Sequence, residues 1–434
     1  MKRAQSAIIH QCCPTHKEAI AAYRFINNER VSMDALSAAL LDPLAPAVAG
    51  KHVLCIQDTS EINYSRHSGR LKASDGEIGP VVNKWDAGFF LHPSLVLDAR
   101  TSMALGFADV QLWNRHWDQP DKHSRDYPKL PIEAKESYRW LAGCEAALAC
   151  LRGADRVTVV ADREADIYRF YSRTSTCDFV IRAQTNRRTR EGLLSDYLAA
   201  LPVRGETSLK VRANNGRTKR RARLEIRFSS VQLLRPKNNA EGEAPWVDLY
   251  VVEVLEHPDS VPAGEDPIHW CLLSTHRVTT LEEALVIVGY YKARWQIEQL
   301  FRLLKTESLE LEAAQLESGA ALKKLCLMSL HVALVLLQLT TARDGKPPLK
   351  ASLIWTPAAM LFLRVLQQPL EGATKKLQCP HEEGTLAWTS WIIGRLGGWK
   401  GYASQSPPGP ITMRRGLERF MNQFAGWQLA QRNL

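Results

Sequence analysis

The chain has no C-x-x-C pair, no membrane-length apolar run, no internal repeat and no low-complexity tract. Each absence excludes something. The nine cysteines are odd in number and scattered from Cys12 to Cys379, so they read as reduced thiols of a cytoplasmic protein rather than a disulfide framework. Cys379 and His381, taken with His10, Cys12 and Cys13, match no zinc-site spacing. The most apolar stretch, Leu325–Leu339, is interrupted by Ser329 and His331 and falls short of the ~20 residues of a span, so a buried helix is expected there. Met1-Lys2-Arg3 leads into mixed polarity, without the pattern of a signal peptide. What remains is an ordinary globular composition, 45% apolar and 24% charged over 434 residues, enough for a large core in two or three domains. The formal net charge of +10 favours a polyanionic partner.

Periodicity predicts the elements. Residues 15–45 read as helical. HVLCIQD (His52–Asp58) is a buried strand ending in an acid, Phe89–Leu97 and Met103–Leu112 are two more strands, and a polar loop follows at Gln119–Lys129. Pro131–Leu151 has an amphipathic helical pattern. RVTVVAD (Arg156–Asp162) is a second acid-terminated strand, followed by a helix at Glu164–Ser172 and a fifth strand at Asp178–Arg182. Three strands, helix, strand, helix, strand is the order of a ribonuclease-H-like α/β plan, in which a mixed sheet carries acids at strand ends. The two acid-terminated strands are neighbours in that plan, which brings Asp58 beside Asp162.

Residues 195–265 break this order as a β-rich insertion, with a basic hairpin at Lys210–Phe228 and a strand at Val247–Glu256. WCLLST (Trp270–Thr275) returns to the core. From about residue 312 the chain reads as helical, at Ala313–Arg343, Leu349–Leu366, Thr385–Leu396 and Met413–Ala430, with breaks at Gly397-Gly398 and Pro407-Pro408-Gly409-Pro410. The expected domains are therefore an N-terminal helical segment at 1–48, an α/β core from 49–194 and 266–312, the β-rich insertion at 195–265, and a helical domain at 313–434.

The segment Tyr290–Thr306 reads as one continuous helix. At roughly 100° per residue, Tyr291, Arg294, Glu298 and Lys305 fall within a stripe of about 60°. Ile297, Leu300, Phe301 and Leu304 form a separate apolar stripe, so the helix packs on one side and presents a phenol, two cations and a carboxylate beside it. Phosphate-ester chemistry uses such a set: the carboxylate binds a metal, and the cations and phenol hold phosphate. Asp58, Asp162 and Glu298 are the three carboxylates that the layout brings together. Phosphodiester cleavage of this type uses two divalent cations about 4 Å apart, and hard oxygen donors on strand ends suit Mg²⁺ or Mn²⁺. Each acid also has a structural role open to it: Asp58 in a turn, Asp162 as a helix N-cap, Glu298 as an i±4 partner of Arg294 or Arg302.

These motifs resemble the DDE transposases of the insertion-sequence-four group, of the transposon Tn-five type. Tyr291, Arg294, Glu298 and Lys305 fit every spacing of that group's Tyr-Arg-Glu-Lys signature. IQDTS around Asp58 resembles its first-acid motif, and VVADREADIY around Asp162 its second. Weaker similarity runs through AYRFINN (ending at Asn28), KESYRWL (Lys135–Leu141) and GRLGGW (Gly394–Trp399). The resemblance implies that Asp58, Asp162 and Glu298 bind two Mg²⁺ ions and that Tyr291, Arg294 and Lys305 clamp phosphate near a transposon end. It further implies that Arg182 contacts phosphate and that Trp270 stacks on a flipped base. The implied activity is cut-and-paste transposition: nicking, hairpin formation, hairpin opening and strand transfer. The implied partners are double-stranded DNA, as transposon-end inverted repeats and target, and a second copy of the chain joined through the C-terminal helices. The expected setting is the bacterial cytoplasm, at the nucleoid when DNA is bound.

Backbone contacts to DNA are expected from Arg187, Arg188, Arg190, Arg212, Arg217, Lys219, Arg220, Arg221 and Arg223. About twenty residues precede Tyr23, fewer than the group's end-recognition region takes up. A shortened, non-transposing DNA-binding regulator is thus one alternative, and a structure-specific nuclease on a ribonuclease-H-like fold is another.

Overall fold

The computed structural model describes residues 1–432 except 14, 72–75, 84, 119–129, 174–176, 185, 214–215, 238–242, 347 and 403. The polar loop expected at Gln119–Lys129 lies outside the described residues.

Four helices open the chain: α1 (Ile9–Cys12), α2 (His16–Ile26), α3 (Met33–Leu41) and α4 (Leu44–Val48). Thr15 and Ser32 cap α2 and α3, each accepting a backbone N–H three residues on. Next come β1 (His52–Gln57), β2 (Ser60–Asn63), β3 (Gly79–Pro80), β4 (Ala87–Asp98) and β5 (Ala104–Trp113). Helix α5 (Tyr138–Cys150), β6 (Arg156–Ala161), α6 (Tyr168–Arg173) and β7 (Asp178–Arg182) complete the first half of the sheet. The second half is β8 (Arg188–Thr189), β9 (Gly192–Leu193), α7 (Leu194–Ala200), β10 (Gly205–Val211), β11 (Arg220–Leu234), β12 (Trp246–Glu256) and β13 (His269–Ser274). The rest is helical: α8 (Leu281–Ala293), α9 (Trp295–Arg302), α10 (Gly319–Ala342), α11 (Pro357–Leu370), α12 (Leu386–Leu396) and α13 (Pro410–Arg432).

Among the described residues, thirteen strands form one mixed sheet whose main path runs β2-β4-β1-β6-β7-β13-β12-β11-β8-β9. Strands β1, β6 and β7 are parallel, and their neighbours are antiparallel. Side chains alternate across it, as the strand period of two requires. Val53, Cys55, Val159 and Ala161 pack under Trp140, Leu141 and Cys144 of α5 on one face. Leu54, Ile56, Val160 and Val180 meet Ile287, Val288, Ile297 and Leu300 of α8 and α9 on the other. The strands between residues 205 and 256 extend this same sheet, because β13 pairs with β12 on one side and β7 on the other.

Several expected elements differ in extent. The helix expected from Pro131 begins at Tyr138, because a 3₁₀ turn at Ile132–Ala134 leaves Lys135 extended. The helix expected at Glu164–Ser172 is split into a 3₁₀ turn at Arg163–Ala165 and α6. The split falls at Asp166, whose buried carboxylate takes hydrogen bonds from Arg187, Tyr171 and the Gln184 amide. Helix α10 starts at Gly319 rather than Ala313, capped by the Ser318 side chain. Helix α11 starts at Pro357, a favoured first helical residue, behind the Thr356 cap. Strand β2 has no counterpart in the sequence reading, being four residues between two loops.

Helix α10 is long and apolar enough to cross a membrane, but 78% of its most apolar window is buried inside the fold. The Gln338 side chain on this helix donates to the Ala104 carbonyl, which ties it to the sheet. Helices α12 and α13 cross at Gly416, where an added Cβ would stand 1.8 Å from the Ile393 carbonyl oxygen.

A polar cluster closes the end of the sheet opposite the strand-end acids. The His276 Nε2 lies 2.8 Å from Thr158 Oγ1, and Arg156 donates to its Nδ1 at 2.9 Å. Thr158 is also 2.8 Å from His52 Nε2, and Asp178 accepts from Arg156 at 2.7 Å. Burial holds the His276 pKa down to about 4; Arg156 and His52 add to the depression, against Asp178. Its folded pKa therefore lies below the ordinary value of about 6.5, and its stability contribution is present above that value and lost as pH falls toward 4. Urea unfolding at pH 5 rather than 7.5 is expected to lose about 2 kcal/mol through this residue. His276→Gln should flatten the profile by that amount, and an identical pH dependence in the variant would refute the assignment.

Candidate active site

Strand β1 pairs in parallel with β6 from His52↔Arg156 to Ile56↔Val160. The same offset carried two residues further sets Asp58 against Asp162, just past the C-terminal ends of two neighbouring strands. The Asp58 Oδ1 accepts the Thr59 amide at 2.8 Å. The Asp162 Oδ1 accepts the Glu164 amide at 2.9 Å, so Asp162 does cap the short turn that follows it. The capping role and the position at the strand end coexist.

The second contribution comes from α8 and α9. A capping box, Thr280 with Glu283, starts α8. The segment from Tyr290 to Thr306 is not the single regular helix expected. At Arg294 the bonds tighten to i→i−3, from Arg294 N to Tyr291 O at 3.2 Å and from Ile297 N to Arg294 O at 3.1 Å. At Leu303–Glu307 the helix widens into a π turn. Such local changes of pitch re-aim side chains and recur at functional sites. They keep Tyr291, Arg294 and Glu298 together and carry Lys305 toward β2. There its ammonium is 3.4 Å from Ser60 Oγ and 3.3 Å from Glu312.

Arg294 is the centre of the arrangement. It donates to Asp58 Oδ2 at 2.7 Å and to Glu298 through its other terminal nitrogen. Its guanidinium carbon is 5.9 Å from the Tyr291 ring centre. Trp270, on β13, meets Tyr291 edge-on at 5.2 Å between ring centres. Arg182, at the end of β7, donates to the His269 carbonyl at 2.8 Å. Thus Asp58, Asp162, Glu298, Arg294, Tyr291, Trp270 and Arg182 gather at one end of the sheet.

The electrostatics follow from this crowding. Burial pushes the Asp58 pKa up to about 6; Arg294 pulls it down and Asp162 pushes it up. Glu298 is raised by burial, with Arg294 opposing and Asp162 assisting. Burial also raises Tyr291, against the pull of Arg294 and Arg182. Burial works against the Arg294 charge, but Asp58, Tyr291, Glu298 and Asp162 outweigh it and hold the guanidinium protonated. Among the described residues, no three His, Cys, Asp or Glu side chains already close on one point as a metal site does. Arg294 lies between Asp58 and Glu298 and bonds both.

Residues 142–335 match the family model for the transposase DDE domain. The match supports a DDE transposase, an enzyme type that acts on DNA and generally uses divalent metal ions. It spans less than half of the chain, takes in Asp162, Glu298 and the residues around Arg294, and leaves Asp58 outside.

Three of the cations expected on DNA have carboxylate partners: Arg187, Arg220 and, at the surface, Arg223 with Glu206 and Asp259. Arg187 pairs with the fully buried Asp166 carboxylate. Arg220 is 10% exposed and forks across Glu256 and Glu265. Cross-strand and loop pairing, invisible in a linear run of basic residues, brings these acids to them. Arg188, Arg190, Arg212, Lys219, Arg221 and Arg223 remain exposed, and Arg217 is half-buried.

Sequence reasoning did not single out a polar layer beneath Asp58. Thr59 Oγ1 is 2.8 Å from Nδ1 of the buried His92 and accepts from Arg139 Nε at 2.9 Å. The available signals were a histidine inside the apolar run FFLHPSLVL and an arginine within KESYRWL.

Proposed function

We propose that the chain is a cut-and-paste DNA transposase of the insertion-sequence-four group, with a ribonuclease-H-like core. The observation that carries this reading is the meeting of two acids at adjacent parallel strand ends with the Tyr291, Arg294 and Glu298 face of a helix. No regular surface helix needs that conjunction. The DDE-domain match supports the reading independently.

Asp58, Asp162 and Glu298 would hold two Mg²⁺ ions, with Mn²⁺ also suited to their oxygen donors. The carboxylate-only donor set fits such hard cations, and Asp58 and Glu298 already converge on one positive charge, the Arg294 guanidinium. When bound, the ions would activate the attacking hydroxyl and stabilise the leaving oxygen. The chain's own residues do the rest. Arg294, a charge-assisted donor already between two carboxylates, would turn its fork to a phosphate once those carboxylates are neutralised. Tyr291, Arg182 and Lys305 would complete the grip on the backbone around the transposon end. The exposed cations Arg188, Arg190, Arg212, Lys219, Arg221 and Arg223 would add sequence-independent contacts, making affinity fall steeply with salt.

Trp270 would take the face of a base flipped out beside a hairpin intermediate. It is half-buried against Tyr291 and therefore rigid. Helices α11 and α13 would join two copies into a synaptic dimer. The exposed Leu361 and Val365 on α11 and Ile411 and Leu429 on α13 support a contact there. In this reading residues 1–48 precede the core, 195–265 are the β-rich insertion, and 313–434 are the dimerisation domain.

The test is end-labelled transposon-end DNA incubated with the protein and Mg²⁺, resolved into nicked, hairpin and opened products. Stacking on an aromatic is worth about 1–3 kcal/mol per base, so Trp270→Ala should slow hairpin formation by about 5- to 150-fold while nicking persists. Equal slowing of both steps would remove Trp270 from this role, and failure of the wild-type protein to nick its own ends would remove the reading.

A further inference from the structure

The backbone pairing that orders β1 and β6 stops before the acids. The last paired residues are Ile56 and Val160, so Asp58 and Asp162 each lie two positions beyond the ladder, on separate loops. The sheet sets their approximate placement, through Gln57 on β4 and Ala161 on β7, but the loops that carry the acids run on unpaired and need a tie of their own. We propose that Arg139 is the positioning residue that clasps these two loops and fixes the distance between the acids, an inference that rests on the catalytic reading above.

Arg139 lies in the first turn of α5, and its side chain is 13% exposed. Its Nε donates to Thr59 Oγ1 at 2.9 Å, on the residue after Asp58. One terminal nitrogen pairs with the Glu164 carboxylate. The amide of that same Glu164 donates to Asp162 Oδ1 at 2.9 Å. The other terminal nitrogen donates to the Glu136 carbonyl at 2.8 Å, which pins the fork to the start of its own helix. A continuous path therefore runs from Asp58 through Thr59, Arg139 and Glu164 to Asp162.

The Thr59 end is itself locked. Its oxygen accepts from Arg139 and lies 2.8 Å from Nδ1 of His92, a ring 0% exposed inside the sheet layer. That ring stands edge-on to Trp140 at 4.7 Å between centres. Only a planar fork with donors in several directions satisfies Thr59, Glu164 and Glu136 at once. Lysine has the charge but not the fork, and reaches one loop at a time.

A positioning role predicts weakened metal binding with DNA affinity kept. The experiment titrates Mn²⁺ into the complex of protein and uncleaved end DNA, reading free Mn²⁺ by electron paramagnetic resonance, alongside Mg²⁺ dependence of nicking. Loss of an outer-shell partner typically costs 10–100-fold in metal affinity. Arg139→Met should weaken Mn²⁺ binding about tenfold or more and raise the half-saturating Mg²⁺ in parallel, with DNA affinity unchanged. Arg139→Lys should recover part of the loss. Unchanged Mn²⁺ affinity in Arg139→Met would overturn the proposal. If that variant does not fold, Glu164→Ala decides, because it removes the acceptor, and that side chain is 59% exposed and not needed for the core. Weakened Mn²⁺ binding there supports the clasp, and unchanged binding overturns it. Asp58→Ala in the same assay separates the two ideas: if it binds Mn²⁺ and nicks like wild type, the catalytic reading fails, whereas its loss with an unaffected Arg139→Met sinks the clasp alone.

Discussion

Asp58→Ala and Glu298→Ala are each expected to abolish Mg²⁺-dependent nicking of transposon-end DNA while leaving binding to that DNA nearly intact. Removing one group that stabilises developing transition-state charge costs about three orders of magnitude, which places the residual rate near background. Binding should survive because phosphate contacts by cations carry most of the affinity, and deleting a carboxylate near the backbone removes repulsion rather than attraction. Neither variant orphans Arg294, which keeps the other carboxylate as partner. Folding should therefore hold, and a thermal melt run beside the cleavage gel checks this. Wild-type activity in either variant would take that residue out of the catalytic set.

Arg294→Met is expected to destabilise the DNA-free protein by about 1–3 kcal/mol, the cost of leaving a partly buried hydrogen-bonded partner unsatisfied. The guanidinium bonds both Asp58 and Glu298, whose exposed fractions are 17% and 29%. Without it, Asp58 loses its main counter-charge and Glu298 keeps only the weaker pull of Arg302, while burial already disfavours both ionised forms. A divalent ion would supply the missing charge. Because ligand that binds only the native state stabilises it by mass action, millimolar Mg²⁺ should raise the melting temperature of Arg294→Met more than that of wild type. A variant as stable as wild type, or with no larger response to Mg²⁺, would show that Arg294 does not stand in for a cation.

Arg294 thus has one role in the resting protein and another, in the proposed mechanism, on DNA. In the resting protein it pairs with Asp58 and Glu298, and on DNA it would turn toward phosphate. The raised Asp58, near 6, has a matching sign: its folded pKa lies above the unfolded one, so its stability contribution is present at acid pH and lost as pH rises through about 6.

Much of the architecture is local information. Strands such as RVTVVA and helices such as α12 are legible because apolar residues recur at the period of the element that buries them. The grouping of Tyr291, Arg294 and Glu298 on one face is legible for the same reason, since helix geometry alone aligns residues three and four apart. Helix geometry alone does not fix Lys305, seven residues past Glu298: the tight turn at Arg294 and the π turn at Leu303–Glu307 intervene, and its ammonium meets Ser60 and Glu312. A linear count of basic residues could not tell Arg221, exposed, from Arg220, whose partners lie 36 and 45 residues away.

The amino-acid order by itself determined which side chains share a helix face and which strands end in acids, because those depend on neighbours within a few residues. Only the folded chain decided that Arg294 lies between Asp58 and Glu298 and that Arg139 joins two loops 105 residues apart at Thr59 and Glu164. Those relations are set by sheet register, burial and charge pairing across long separations, and no short window of sequence contains them.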